Sequence, residues 1–314
     1  MENNYKIFAT RNAQTLGSEI AKQFNTELGA LHCQSFSDGE VFVRFDESIR
    51  GKTIFIIAQV NMPYSNLFEL FMTVDAARRA SAKEIICVTP YLPHSRQERK
   101  DAERTSISSR VVAEFLQLSG ADRLMTIDLH TSSIEGFFNI PVDHLDTSRL
   151  FSKHIKDLQL DNLCLCSPDF GGLKRIKKYK KLLDCEMAVI HKERLIPNQV
   201  ANMEIIGDVD GKDVVIIDDM IDTAGTLCKA AELIISKGAK SVRAYCTHGL
   251  LSGPAVDRIE QSPLNCVYIA DTINGEAKKS NKIQPIACHS IIAKAIDNLL
   301  QNKSIKDLNE KFEI

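Results

Sequence analysis

Three acids and two threonines occupy nine residues at the end of the segment VVIIDDMIDTAGT, which spans positions 214–226. A loop leading into a helix presents backbone N–H groups and the positive end of the helix dipole, and together these attract a phosphate. Thr223 and Thr226 add hydroxyl donors to such a loop. Asp218 and Asp219 would accept hydrogen bonds from sugar hydroxyls or hold a cation. Phosphate donors beside hydroxyl acceptors fit a sugar phosphate, and the alternative is a capped turn with solvated acids.

The elements that must position this segment are predicted by its apolar spacing. The run Val214–Ile217 indicates a buried strand, and ligands of open α/β sheets bind beyond the carboxyl ends of such strands. A helix is expected to begin at Thr226 and to stop at Gly238. Its apolar face has the spacing i, i+3, i+4, i+7 and consists of Leu227, Ala230, Ala231 and Ile234.

Composition narrows the class of protein. The chain has 314 residues, enough for two ordinary domains, with 44% hydrophobic and 25% charged residues. A net charge of −2 argues against a general nucleic-acid binder. No apolar run approaches the roughly 18 residues of a membrane span, and the N-terminus lacks a signal pattern. The nine cysteines include no CxxC pair. We therefore expect a reduced, cytoplasmic protein that binds neither nucleic acid nor membrane.

Short β-branched runs alternate with helical patterns along the chain, which predicts α/β architecture with parallel strands covered on both faces. The two halves also resemble each other. Residues 50–60 (RGKTIFIIAQV) align with 210–220 (DGKDVVIIDDM), and 81–90 (SAKEIICVTP) align with the stretch that starts at Gly238. This pattern indicates two copies of one α/β unit, the alternative being chance similarity between α/β halves. Only the second copy carries the paired acids.

Further motifs occur in a fixed order and identify a family. They are FSDGE at 36–40, RRASA at 78–82, RQERK at 96–100, DLH at 128–130, GFFNIPVDHL at 136–145, SPDFGG at 167–172 and THGLLSGPA at 247–255. With the segment 214–226, this set closely resembles the ribose-phosphate diphosphokinase (phosphoribosyl-diphosphate synthetase) family. The resemblance implies two phosphoribosyltransferase-like domains, each a mostly parallel sheet flanked by helices, at 1–146 and 147–314. It also implies that the last helix packs back on the first domain.

The reaction implied by the resemblance converts ATP and ribose 5-phosphate into 5-phosphoribosyl 1-diphosphate and AMP. The catalytic residues implied are Lys192 and Arg194. Ribose 5-phosphate would be bound by Arg194, Asp218, Asp219, Asp222, Thr223, Ala224, Gly225 and Thr226. ATP would be bound by Phe36, Asp38, Gly39, Glu40, Arg96 and Gln97. The implied cofactor is Mg²⁺, flanked by His130 and Asp169.

The resemblance further implies a homo-oligomer, built from dimers, in which FSDGE reaches the ATP site of a neighbouring subunit. Ser48, Arg50 and Arg79 match an allosteric phosphate and nucleotide site, but the C-terminal tail departs from the family pattern and leaves that regulation open. A strand is expected to end near His191 and to be followed by an irregular polar stretch to Gly207, which resembles the family's mobile catalytic loop. His191, Glu193 and Leu195 depart from the family pattern there, which puts loop closure and rate in doubt.

Taken alone, several of these motifs have other interpretations. FSDGE is typical of a hairpin turn, a histidine such as His130 is more often a hydrogen-bonded residue at a strand end, and the charges around Lys192 are typical of a solvated run. Two other classes of protein stay open at this point. A non-catalytic synthetase-associated subunit would lack the basic pair Lys192 and Arg194 or the metal ligands His130 and Asp169. This chain retains all four. A nucleic-acid regulator would need a DNA-binding module and a basic surface, which the sequence does not show.

Overall fold

The computed structural model describes residues 4–193, 202–275 and 280–305. The chain divides into two compact units. The first contains the described residues up to Asp146, together with Thr272–Asn274 and the described part of Cys288–Lys311. The second contains Thr147–Asp271 and the described part of Gly275–Ala287.

Fourteen strands and eight α-helices lie within the described residues. The strands are β1 (Tyr5–Ala9), β2 (Leu31–Ser35), β3 (Val41–Phe45), β4 (Thr53–Ile57), β5 (Glu84–Val88), β6 (Arg123–Ile127), β7 (Val142–Leu145), β8 (Leu163–Ser167), β9 (Glu186–Glu193), β10 (Asn202–Ile206), β11 (Asp213–Ile221), β12 (Ser241–Gly249), β13 (Cys266–Ala270) and β14 (Ile283–Ile286). The helices are α1 (Gln14–Gln23), α2 (Ser65–Arg79), α3 (Ser108–Ser119), α4 (Ser148–Asp157), α5 (Leu173–Leu183), α6 (Gly225–Ser236), α7 (Ala255–Gln261) and α8 (His289–Leu300).

Each unit is built on a mostly parallel sheet. The first sheet has the order β1-β4-β5-β6-β7, and all of its pairs are parallel. The second has the order β10-β9-β8-β11-β12-β13-β14, and only the β10–β9 pair is antiparallel. A separate hairpin pairs β2 with β3. Helix α8 packs against α1 within the first unit. The predicted fold class is confirmed.

The internal repeat appears in the hydrogen bonds of the two units. The register pairs Thr53 with Glu84 in the first sheet and Asp213 with Ser241 in the second, which are the positions that the sequence alignment equates. The turns that precede these strands are joined by equivalent backbone bonds, each 2.9 Å long. They run from Gly51 to Ser81 and from Lys83 to Lys52 in one unit, and from Gly211 to Gly238 and from Lys240 to Lys212 in the other.

Helix α6 agrees with its prediction. The four residues of its predicted apolar face, Leu227, Ala230, Ala231 and Ile234, are buried in the core of the second unit. The chain turns at Gly238, whose φ of 90° suits a residue without a Cβ, and its N–H bonds back to Ile235. The apolar spacing therefore predicted the buried face of this helix, and Gly238 predicted its end.

Two further features concern the cysteines and the lengths of the helices. All nine cysteines are free thiols. Among the residues that the structure describes, no helix combines the length and the apolar character that crossing a bilayer requires.

Candidate active site

The loop between β11 and α6 has the geometry of an anion site. Ala224 takes a left-handed conformation with φ 58°, and α6 begins at the next residue. The residue that precedes this helix, Ala224, makes no capping side-chain hydrogen bond, and the N–H groups of the first helical turn point towards the loop. Thr223 and Thr226 are exposed beside them, while Gly225 leaves the approach open. Asp222 fixes the start of the loop, since its backbone oxygen accepts a 2.9 Å hydrogen bond from the N–H of Ser252.

A cavity of about 450 Å³ adjoins this loop, and its walls include Thr223, Gly225, Thr226, Lys229 and Arg258. Arg258, from α7, donates from Nη1 to the backbone oxygen of Thr223 at 2.9 Å. A cation therefore holds the loop by a hydrogen bond and adds positive potential to the cavity where an anion would lie.

Asp218 and Asp219 lie within β11 and not beyond its end. The sequence placed the end of this strand at Ile217, but β12 is equally long and the ladder continues to the pair Ile221–Gly249. Arg175 contacts both acids: Nη1 lies 3.2 Å from Oδ1 of Asp218, and Nη2 lies 2.8 Å from Oδ1 of Asp219. Burial and then the charge of Asp219 raise the pKa of Asp218 to about 8, against the effect of Arg175.

Asp169 lies two residues beyond the end of β8, in a tight turn. Its Oδ1 accepts a 3.0 Å hydrogen bond from the N–H of Gly172, and its backbone oxygen accepts a 2.7 Å bond from Oγ of Ser167. A Cβ at position 172 would collide with that hydroxyl, which explains the glycine. The carboxylate itself is exposed.

The segment around Lys192 differs from the prediction. We expected a strand that ends near His191 and then an irregular stretch to Gly207. Strand β9 instead continues to Glu193 and pairs with β10, so that His191 lies opposite Glu204. The His191 ring also packs at 5.3 Å from that of Phe170. Arg194 and Leu195 lie outside the described residues.

Neighbouring strands of the second sheet carry these groups in order. Strand β9 bears Lys192, β8 is followed by Asp169, and β11 bears Asp218 and Asp219. The three strands run parallel, so these positions meet at one edge of the sheet.

In the first unit the FSDGE segment forms the turn between β2 and β3. The N–H of Gly39, which has a φ of 93°, bonds to the backbone oxygen of Phe36 at 3.0 Å. Oδ1 of Asp38 accepts from the N–H of Glu40 at 3.0 Å. A cavity of about 600 Å³ lies between this turn and α2, where Phe68 and Met72 are 55% and 43% exposed.

An ion pair with a buried carboxylate anchors this hairpin. The carboxylate of Glu69, on α2, is only 1% exposed and accepts from the backbone N–H and Nε of Arg11 at 2.7 and 2.8 Å. Nη1 of Arg11 reaches Oγ of Ser35, at the end of β2, at 3.1 Å. Arg11 thus ties the strand that leads into the FSDGE turn to the main body of the unit.

Arg96 and Gln97 follow β5 and are exposed. The side-chain oxygen of Gln97 accepts a 2.5 Å bond from Oγ of Ser108, at the start of α3. His130 follows β6, the neighbour of β5, and is half-buried.

His144, on β7, supports the loop that carries His130. Its Nε2 accepts from the N–H of Leu129 at 2.9 Å, so the ring proton sits on Nδ1 and is donated to Glu135 at 2.7 Å.

The three residues matched to an allosteric site lie at the opposite edge of the first sheet. Ser48 and Arg50 are exposed in the turn before β4, and Arg79 is exposed at the end of α2. The bond between Gly51 and Ser81 joins the two turns. Nε of Arg79 is paired with Asp75 at 2.7 Å.

Sequence reasoning missed the residues that support the site. Arg175 and Arg258 reach it from other elements, and His144 and Glu69 act through the loops that they hold. The only sequence signal for Arg175 was its position just after SPDFGG, and Arg258 follows THGLLSGPA by three residues.

The fold and the site define an α/β protein in which two adjacent acids and the start of a helix lie at the carboxyl edge of a mostly parallel sheet. Residues 5–120 match the model for the N-terminal domain of ribose phosphate pyrophosphokinase, and residues 186–310 match the phosphoribosyl synthetase-associated domain.

Two relatives match almost the whole chain. A ribose-phosphate pyrophosphokinase from Fusobacterium nucleatum is 41% identical over 310 residues, covering 98% of each chain. A ribose-phosphate pyrophosphokinase from Aquifex aeolicus is also 41% identical, over 98% of this chain and 99% of its own.

A solved structure agrees with these matches. Phosphoribosylpyrophosphate synthetase from Mycobacterium smegmatis is 35% identical and superposes with a TM-score of 0.89, over 96% of this chain and 100% of its own. The chain belongs to the ribose-phosphate pyrophosphokinase family, as the motifs predicted.

Proposed function

We propose that this protein is a ribose-phosphate diphosphokinase that converts ATP and ribose 5-phosphate into 5-phosphoribosyl 1-diphosphate and AMP. The observation that carries the proposal is the arrangement along β11 and its loop. Two adjacent carboxylates, Asp218 and Asp219, are followed by the start of α6 at Gly225, six positions after Asp219, and this arrangement suits sugar hydroxyls and a phosphate on one small ligand.

In this reaction the 1-hydroxyl oxygen of the sugar attacks the β-phosphorus of ATP. The bond from that phosphorus to the oxygen bridging the α- and β-phosphates breaks, AMP leaves with the electron pair, and the hydroxyl proton is lost. Catalysis of such a transfer depends mainly on positioning and charge neutralisation. We assign the 5-phosphate to Asp222–Thr226 and the ribose hydroxyls to Asp218 and Asp219.

Mg²⁺ fits the donor set around Asp169. The described residues contain no cluster of three protein ligands for a metal, which suits an ion that keeps waters and substrate phosphates in its coordination shell. The exposed carboxylate of Asp169 supplies a hard oxygen, with one oxygen already oriented by Gly172. We assign Asp169 and, from the family resemblance, His130 to this ion, which when bound neutralises charge on the triphosphate.

ATP is assigned to Phe36, Asp38, Gly39, Glu40, Arg96 and Gln97. Arginine suits phosphates and base stacking, and exposed Phe36 offers a ring face for adenine. Lys192 and Arg194 are assigned to the transferring group. Ser48, Arg50 and Arg79 are proposed for an effector anion.

We propose further that the protein is a dimer-based homo-oligomer and that FSDGE completes the ATP site of a neighbouring subunit. Exposed apolar side chains support a protein partner here: Phe36, Phe42, Phe68 and Met72 lie on or beside the FSDGE hairpin and its cavity. A cytoplasmic location is proposed as well, since free thiols are typical of a reducing compartment.

The deciding experiment measures AMP release from ATP. AMP should form only when both ribose 5-phosphate and Mg²⁺ are present, in equal amounts with 5-phosphoribosyl 1-diphosphate. ADP as the nucleotide product, or AMP formation independent of the sugar, would contradict the proposal. Inactivity of the purified oligomer under these conditions would favour a non-catalytic subunit.

A further inference from the structure

Arg175 joins three parts of the candidate active site in the second unit. It lies in the first turn of α5, and its guanidinium contacts one carboxylate oxygen of Asp218 at 3.2 Å and one of Asp219 at 2.8 Å. Separate nitrogens make the two contacts, so the planar group spans both acids. The three side chains are 23%, 32% and 6% exposed, which places the contacts largely away from solvent.

The two acids need such a partner. They are adjacent on one strand, and like charges in a partly desolvated place disfavour each other's ionised form. The N–H of Asp219 also bonds to Oδ1 of Asp218 at 2.9 Å, which keeps the first carboxylate turned towards the second residue. A guanidinium bridging both groups balances the charge and fixes their directions, because its donors form a rigid fork.

Arg175 is also tied to the turn that carries Asp169. Helix α5 starts immediately after Gly172, whose N–H bonds to Oδ1 of Asp169. The N–H of Arg175 bonds in turn to the backbone oxygen of Gly172 at 2.9 Å. A short series of bonds therefore runs from Asp169 through Gly172 and Arg175 to the two acids on β11.

We propose that Arg175 is a positioning residue for the sugar: it holds Asp218 and Asp219 as oriented hydroxyl acceptors and fixes their place relative to Asp169. This inference rests on the function proposed above. It predicts that loss of Arg175 weakens binding of ribose 5-phosphate through the acids and leaves the ATP contacts unchanged.

The test compares Arg175→Gln, Arg175→Lys and the matched control Lys174→Gln, which removes an exposed cation from the preceding position of α5. Because hydrogen bonds to charged groups are worth roughly 1.5–3 kcal/mol, Arg175→Gln should raise the KM for ribose 5-phosphate by about tenfold or more. The KM for ATP should stay within about twofold. Arg175→Lys should fall between, because an ammonium lacks the planar fork. Lys174→Gln should match the wild type.

A double-mutant cycle shows whether Arg175 acts through Asp218. If it does, the double variant with Arg175→Gln and Asp218→Asn should raise the KM for the sugar, relative to the wild type, by much less than the product of the two single effects. Multiplying effects would overturn the proposal and indicate that Arg175 contacts substrate itself. An unchanged KM for the sugar in Arg175→Gln would also overturn it.

Two measurements keep these outcomes interpretable. If Arg175→Gln does not fold, Arg175→Lys carries the same test, with thermal unfolding as the check on its structure. A wild-type sugar KM in Arg175→Lys would then overturn the proposal. Failure of the proposed function itself would look different, because the wild type and Lys174→Gln would both release no AMP in response to ribose 5-phosphate.

Discussion

Arg258 and Thr223 are joined by a hydrogen bond from Nη1 of the guanidinium to the backbone oxygen of Thr223, 2.9 Å long. The residues are 35 positions apart and belong to different elements. The bond fixes the carbonyl group of Thr223. The N–H groups of the residues that follow Thr223 would hold the 5-phosphate. A change on α7 should therefore be felt at the phosphate loop.

Replacement Arg258→Met is expected to weaken binding of ribose 5-phosphate. An ordinary hydrogen bond contributes roughly 0.5–1.5 kcal/mol, so the KM for the sugar should rise by about twofold to tenfold, with kcat within about twofold. Lys229→Met is the matched control, since it removes an exposed cation from the wall of the same cavity. Equal KM values for ribose 5-phosphate in the two variants would show that Arg258 contributes only its positive charge and not its hydrogen bond to Thr223.

Stability should depend on pH through Asp218. Its pKa is raised to about 8 by burial and by Asp219, whereas the unfolded chain would titrate near its ordinary value of 3.8. Between these values the folded state binds more protons than the unfolded state, so this group's contribution to stability is complete at low pH and is lost as pH rises towards about 8.

Replacement Asp218→Asn removes that dependence, because an amide does not titrate. We expect the wild type to lose stability relative to Asp218→Asn between about pH 5.5 and about pH 8.5. Urea unfolding of both proteins at the two pH values measures the difference in free energy of unfolding. A constant difference would mean that Arg175 keeps Asp218 ionised throughout.

A feature of this structure is predictable from the sequence when the residues that specify it lie close together in the chain. Helix α6 and its end at Gly238 are local, because a 3.6-residue period and a glycine with positive φ are written in one short segment. The repeat was visible because equivalent turns use the same Gly-Lys and Ala-Lys pairs. The hairpin of β9 and β10 escaped prediction, because the five residues of β10 become a strand only by pairing with β9.

The support of the site depends on contacts that the sequence does not encode locally. Arg175 and Asp218 are 43 positions apart, and this one of the basic residues of α5 reaches the acids only because of how that helix packs on the sheet. The acids and the loop were recognised from residue type and order. The arginines that support them, Arg175 and Arg258, were not recognised, because a charged helix face is usually solvated.

Mixed oligomers should recover activity if the ATP site is shared. Each of two inactive proteins would be damaged in a different part: one carries Asp38→Ala with Glu40→Ala, and the other carries Asp169→Ala. In a dimer with one subunit of each kind, one of the two ATP sites would combine an intact FSDGE turn from one subunit with an intact Asp169 from the other. Random mixing at equal amounts should therefore restore about a quarter of wild-type activity.

The control for this experiment mixes the first protein with Phe36→Ala, whose damage lies in the same turn, and should recover nothing beyond the activity of Phe36→Ala alone. Exchange of subunits is verified separately, with two different affinity tags. If mixed oligomers form and remain inactive at every ratio, each subunit builds its own ATP site.

Lys192 should act on the transition state more than on substrate binding. It lies on β9, next to the strand that leads to Asp169, and a cation supplied at this edge would meet the negative charge that develops as the diphosphoryl group moves. Loss of one such donor costs about 10²–10³ in kcat at comparable oxyanion sites, so Lys192→Ala should lower kcat at least about 100-fold. The KM values should change far less, and Arg194→Ala should behave in the same way. Lys177→Ala, an exposed cation on α5, is the control and should leave kcat unchanged. Steady-state kinetics decide the matter: a wild-type kcat in both Lys192→Ala and Arg194→Ala would mean that this charged segment never meets substrate.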